Sequence, residues 1–259
     1  MKQASKIVCI IPARLDSKRF PRKLLSPLLG KPVLEWVWQA ATKVSLFNDV
    51  MFAIDAQETA DAIQQFGGKY IFTSTHCQSG TDRLVEIACS GKISADIWVN
   101  WQGDEPFIAQ EMIETLLQSA DHQSGEMWTL KKLIQDPQDI HSPKVAKVVC
   151  DSHGYALYFS RSPIPFFRDE QDPHALITKK AYYKHVGLYA YTTDALKKIS
   201  QMGSSTLEKA EMLEQLRFLE HNLRIRVHET THEVFGIDFP EDLVKAEARI
   251  RSSSSNIPY

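Results

Sequence analysis

The chain has 259 residues, a formal charge of −2, and 43% apolar and 24% charged residues. That length can bury the core of one large domain, and the near-neutral charge excludes a general attraction to nucleic acid or to an anionic membrane. Any anion site must be a local patch.

The four cysteines, Cys9, Cys77, Cys89 and Cys150, form no Cys-x-x-Cys pair, and no histidines stand at zinc spacing. Reduced thiols in a cytoplasmic protein are expected. No apolar stretch approaches the roughly 20 residues of a membrane span, and the first apolar run is too short for a signal peptide.

Ile7, Val8, Cys9, Ile10 and Ile11 predict a strand buried on both faces. From Pro12 the character changes: Arg14, Lys18, Arg19, Arg22 and Lys23 follow, opposed only by Asp16. A cationic loop leaving a buried strand is a place to hold a polyanion, because ligands of open α/β sheets sit beyond the carboxyl ends of the strands. Gly30-Lys31-Pro32 reads as a turn into a helix with an apolar stripe of Leu34, Val37, Trp38 and Ala41. Strands are predicted over 50–54, 70–73 and 95–101, and helices over 57–66 and 110–120. A polar loop over 74–82 leads into a helix opening at Arg83. This alternation implies a largely parallel sheet with right-handed crossovers. There is no G-x-G-x-x-G after the first strand and no Walker loop, which disfavours a dinucleotide fold and a P-loop NTPase.

The second half changes rhythm. Strands are predicted over 127–134, 145–150, 156–160 and 186–191 with few helices between them, as antiparallel additions and a projecting ribbon. The connection over 162–180 is too long for a simple turn. One helix is predicted over 207–221, with Met212, Leu213, Leu216 and Leu219 on its apolar side, then an edge strand over 224–228. Pro240 starts a final helix, and the tail containing Ser252 and Ser255 is expected to fray.

Several constellations bear on chemistry. The basic loop can pair with phosphate oxygens, Arg as a fork and Lys as a point charge. Asp104, in Gln102-Gly103-Asp104-Glu105-Pro106, lies at the end of a strand and suits Mg²⁺, which takes one or two carboxylates plus substrate phosphates; Asp before a turn is the common alternative. Asp238 before Pro240 is either a helix-start residue or a second hard-oxygen ligand. Gly80, among small hydroxyls in Ser79 to Arg83, allows close backbone approach to a base or ribose, while Thr81 suits an N-cap. His185 and Tyr189 share one face of a strand; with Arg161, Glu214 and Gln215 they form a candidate lining for a polyhydroxylated anionic substrate.

In this order, IIPARLDSKRFPRK, GKPVLEWV, QSGTDRL, VNWQGDEPFI, GYALYFSRSPIP, KHVGLYAY, EMLEQLR and GIDFPEDL resemble the 3-deoxy-D-manno-octulosonate cytidylyltransferases over nearly the whole chain. The resemblance implies a nucleotide-diphospho-sugar transferase-like (Rossmann-like) α/β fold: a mixed, mostly parallel sheet with flanking helices and a small antiparallel dimerisation region. A single domain would span 1–251, with sugar-site strands and the dimer region near 155–192 and a frayed tail over 252–259. It implies transfer of CMP from CTP to 3-deoxy-D-manno-octulosonate (Kdo), with Mg²⁺, by a cytoplasmic homodimer serving lipopolysaccharide synthesis. Neither nucleic acid nor membrane is an expected partner.

By the same resemblance, Arg14, Ser17, Arg19 and Lys23 hold the triphosphate. Ser79, Gly80, Thr81, Asp82, Arg83 and Gln102 surround the nucleotide, and Gln102 also reaches the sugar. Asp104 and Asp238 ligate metal, and Arg161, His185, Tyr189, Glu214 and Gln215 line the sugar pocket. Arg14, Lys23 and Asp104 are the expected catalytic residues. Three positions depart from the family pattern: Arg22 and Leu24 replace a Gly and a Pro, and Phe239 replaces a Thr. The alternatives are a related acid sugar, the 8-amino analogue of Kdo or a sialic acid, or a non-catalytic nucleotide-binding protein.

Overall fold

Strand β1, Ile7–Ala13, lies inside the main sheet of a computed structural model that describes residues 5–17, 19–124 and 126–254. Lys18 of the basic loop and residues 255–259 of the tail lie outside the described residues. Val8, Cys9, Ile10 and Ile11 are fully buried. Alternate residues enter different cores, Cys9 and Ile11 on one face and Val8 and Ile10 on the other. That two-sided burial accounts for the unbroken apolar run.

The elements after β1 are a 3₁₀ turn Lys23–Leu25, a small hairpin of β2 Pro27–Leu28 and β3 Lys31–Pro32, and α1 Val33–Ala41. Next come β4 Asp49–Ile54, α2 Gln57–Gln65, β5 Tyr70–Phe72, α3 Gly80–Ser90, β6 Ile97–Asn100 and α4 Gln110–Leu117. The second half holds β7 Met127–Leu133, α5 Pro137–His141, β8 Lys147–Cys150, β9 Ala156–Ser160, α6 Pro173–Thr178 and β10 Tyr183–Thr192. It ends with α7 Thr193–Ile199, α8 Thr206–Glu211, α9 Gln215–Glu220, β11 Ile225–Glu229 and α10 Pro240–Ser254.

The sheet order is β11-β7-β10-β6-β1-β4-β5, with β8 on β10 and β9 on β8. β1 pairs in parallel with β4 and β6, and β4 with β5. β10 runs antiparallel to both β6 and β7, and β11 closes one edge parallel to β7. The chain thus steps outward from β1 to β5 and then returns to β6 on the other side of β1. That reversal opens a crevice at the carboxyl ends of β1 and β6.

Three expectations are corrected. The helix expected at Arg83 opens at Gly80, because Ser79 and Asp82 form a reciprocal capping box; Thr81 is therefore not the cap. The single helix expected over 207–221 breaks at Met212, which is left-handed at φ 51° and exposed. The break frees the carbonyls of Glu211 and Met212, and Arg161 takes both, at 2.7 and 3.2 Å. Finally, α10 runs through Ser254, so residues 252–254 continue the helix. The connections in the second half also hold more helix than expected, namely α5, α6 and α7.

Candidate active site

A cleft of about 760 Å³ lies beyond the carboxyl ends of β1, β4 and β6. Arg14, Ser17, Arg19 and Lys23 of the basic loop line it, with Ser79, Gly80 and Arg83 from the start of α3 and Gln102 and Asp104 from the end of β6. Gly103 fits this turn because a Cβ there would lie 2.6 Å from the Pro12 carbonyl oxygen. Its lack of a side chain lets the segment after β6 pack against the end of β1, which brings Asp104 to the basic loop.

Asp238 arrives from the far end of the chain. Ile237 is buried with Leu28, Val33 and Ala246, which docks the start of α10 beside α1. The Ile237 N–H donates to the Asp104 carbonyl at 2.9 Å. The Lys23 ammonium then meets both carboxylates: it pairs with Asp104 and lies 3.3 Å from Asp238. Arg19 also pairs with Asp238, at 2.6 Å. Glu105, directly behind, has its carboxyl pushed up to about 8 by burial and by the charges of Asp104 and Asp238, against the opposing pull of Lys23. Its Oε2 has no hydrogen-bond partner.

Two carboxylates within reach of one ammonium form a hard-oxygen pair that suits Mg²⁺ completed by substrate phosphate and water. Among the described residues no group of three or more His, Cys, Asp or Glu has metal-binding geometry.

Arg22 does not line the cleft. It adopts φ 58° and pairs with Glu58 at the start of α2. A left-handed position explains why glycine suits this site, and the added cation faces a neighbouring carboxylate at the surface.

Arg83 lies at the inner wall, 2% exposed. It donates to Asp55 and to the Thr73 hydroxyl, both at 2.6 Å. Asp55 also accepts the Leu15 N–H at 3.1 Å, so one carboxylate joins the basic loop to α3. The sequence reading missed Asp55. Its available signal was an acid at the end of a buried strand, the same signal that singled out Asp104.

Thr81 and Asp82 do not line the cleft. Asp82 completes the capping box, and the Thr81 hydroxyl lies 3.2 Å from the Tyr191 hydroxyl, behind the wall.

Of the expected sugar residues only Gln102 lines the cleft; His185, Tyr189, Glu214 and Gln215 lie outside its lining, in a largely buried polar seam. Gln102 Nε2 lies 3.5 Å from the Gly187 carbonyl, where β10 is irregular between Val186 and Tyr189. The Thr129 hydroxyl is 3.0 Å from His185 Nε2 and from the carbonyls of Val186 and Leu188. His185 packs against the rings of Phe159 and Tyr189. Burial pushes its pKa down to about 3, so it is a neutral ring at physiological pH. Glu214 has its carboxyl pushed up to about 6 by burial, opposed by hydrogen bonding to Thr81 and Ser79 and by the Arg217 charge. Gln215 is buried, and its Nε2 has no partner. Arg161 is the exception to the seam: its guanidinium is spent on the carbonyls of Pro143, Glu211 and Met212.

A family model described as cytidylyltransferase matches residues 8–225. The 3-deoxy-manno-octulosonate cytidylyltransferase of Pelobacter propionicus is 47% identical over 254 residues, covering 96% of this chain and 99% of that protein. The enzyme of the same name from Geobacter sulfurreducens is 46% identical, covering 95% and 99%. Among solved structures, a CMP:2-keto-3-deoxy-manno-octonic acid synthetase complexed with CTP superimposes with a TM-score of 0.87 at 41% identity, covering 96% of this chain and all of that one. The 4-diphosphocytidyl-2C-methyl-D-erythritol synthase of Anaerococcus prevotii, 14% identical with a TM-score of 0.60, shares the fold. Extended over almost its whole length, that similarity means the chain belongs to the cytidylyltransferase family, among the 3-deoxy-manno-octulosonate cytidylyltransferases.

Proposed function

We propose that this protein transfers CMP from CTP to the anomeric hydroxyl of Kdo, releasing pyrophosphate. The observation that carries the reading is Lys23 meeting both Asp104 and Asp238 at the mouth of a cleft lined by Arg14 and Arg19. The anomeric hydroxyl attacks the α-phosphorus in line and loses its proton to solvent, the bond to the pyrophosphate oxygen breaks, and pyrophosphate leaves with the electron pair. Arg14, Arg19 and Lys23 stabilise the charge that builds on it. Mg²⁺, when held by Asp104 and Asp238, would polarise the α-phosphate and favour ionisation of the attacking hydroxyl.

In this reading Ser17 and the backbone at Ser79 and Gly80 orient the nucleotide. Arg83 holds the inner wall through Asp55, and Thr81 and Asp82 hold α3 in place. Gln102, Tyr189, Glu214 and Gln215 face the sugar, with His185 as a neutral packing and hydrogen-bonding partner. Arg161 contributes by fixing the turn that presents Glu214 and Gln215. Assembly as a homodimer through the region 155–192, action in the cytoplasm and supply of lipopolysaccharide synthesis belong to the same proposal. Among the described residues no helix is long and apolar enough to cross a membrane.

The test is pyrophosphate release with CTP and, in parallel, Kdo, its 8-amino analogue or a sialic acid. Preference for Kdo is expected. Preference for another acid sugar overturns the substrate but keeps the chemistry; no release with any of them, despite CTP binding, leaves a nucleotide-binding protein.

A further inference from the structure

Arg19 reaches over the rim of the cleft and has two partners there. One is the Asp238 carboxylate, at 2.6 Å. The other is the face of Phe239, with the guanidinium carbon 5.6 Å from the ring centroid, inside the range of cation–π attraction. Phe239 immediately precedes α10, where a side chain ordinarily caps the helix. A phenyl ring cannot cap. Asp242 in the first turn instead reaches back, with Oδ2 accepting the N–H groups of Asp238 and Phe239 at 3.1 and 3.0 Å. The ring has no part in these backbone bonds, and it stands 39% exposed against Arg19.

The two partners of Arg19 differ in kind. Asp238 is a carboxylate that any other cation in the cleft draws upon, as Lys23 already does. The ring is neutral, and among the described residues Arg19 is the cation that lies over its face. When Asp238 turns to another cation, the ring is what keeps Arg19 at the rim, with its N–H donors available to phosphate oxygens.

We propose that Phe239 is a positioning residue for the nucleotide: its ring holds the Arg19 guanidinium where the phosphates of CTP meet it. The inference rests on the reading that Arg19 binds the triphosphate.

A double-mutant cycle tests it, with CTP affinity measured by calorimetry in the presence of Mg²⁺ and the absence of sugar. Phe239→Leu should weaken CTP binding about two- to fivefold. Phe239→Trp, which keeps an aromatic face, should bind CTP as the native protein does. In an Arg19→Gln background, Phe239→Leu should cost nothing further, because the ring then has no cation to hold. Native affinity in Phe239→Leu, an equal loss in Phe239→Trp, or the same loss with and without Arg19 would each overturn the proposal. Native affinity in Arg19→Gln alone would instead remove Arg19 from the triphosphate, a failure of the underlying reading that is recognisable before the ring is touched.

Discussion

The backbone N–H of Ile237 donates to the carbonyl of Asp104 at 2.9 Å. That bond joins the segment before α10 to the turn after β6 and sets Asp238 beside Asp104. With both carboxylates at the same cleft, the ammonium of Lys23 becomes their common counter-charge. Three residues distant in sequence thus form one electrostatic unit, and each can be tested separately.

Asp104→Asn keeps the volume of the side chain and removes its charge. Pyrophosphate release should fall about a hundredfold or more, with a cooperative melt retained. Wild-type turnover in this variant would remove Asp104 from the metal pair.

Lys23→Met should destabilise the metal-free protein by about 2 kcal/mol, since two carboxylates lose the cation they share. Thermal melts in EDTA and in Mg²⁺ separate the effects: a larger deficit is expected in EDTA than in Mg²⁺. An equal deficit in both would show that Lys23 and the metal do not share the same carboxylates.

The carboxyls of Glu105 and Glu214, at about 8 and about 6, are both raised above the ordinary 4.5. A carboxyl raised in the folded state binds its proton more tightly there than in the unfolded chain. Its stabilising contribution is complete below pH 4.5 and is lost as pH rises through the folded value. The melting temperature of the metal-free, nucleotide-free protein should therefore decline from pH 5 to 9. Glu105→Gln should flatten the upper part of that decline by roughly 3 °C or more, and Glu214→Gln the part near pH 6. An unchanged profile in Glu105→Gln would contradict the raised value.

Asp55→Ala should destabilise by about 3 kcal/mol, read as a shift in the urea midpoint, because it strands the buried Arg83 cation. Arg83→Met should cost less, since it removes the buried charge itself. If Arg83→Met proves the more damaging of the two, Arg83 matters for more than its pairing with Asp55.

Arg22→Gly should leave stability within about 1 kcal/mol and turnover near the native level. Glycine takes the left-handed conformation without steric cost, which offsets the loss of an exposed ion pair worth little. A large fall in CTP affinity would instead give Arg22 a direct phosphate contact.

Local pattern was enough for β1, α2, α4, β4 and β6, because each buries one apolar run or stripe, and burial writes itself into the periodicity; β5 was found as well, although it stays partly exposed. It was enough also to place the basic loop and Asp104 at strand ends. The break at Met212 was not legible: the spacing of Leu213, Leu216 and Leu219 continues a helical stripe, and only the carbonyls claimed by Arg161 reveal what is gained by ending the first helix early. Asp55 was passed over because its importance lies in Arg83 and Leu15, neither of which is its neighbour in sequence. The chain by itself determined an α/β protein with a cationic loop after its first strand, since hydrophobic patterning and the order of charges are local properties. Tertiary structure alone decided which carboxylates face Lys23, that Arg161 is spent on backbone, and that Phe239 lies against Arg19. Those contacts depend on how the sheet reverses at β6 and where α10 docks, and no local pattern encodes either.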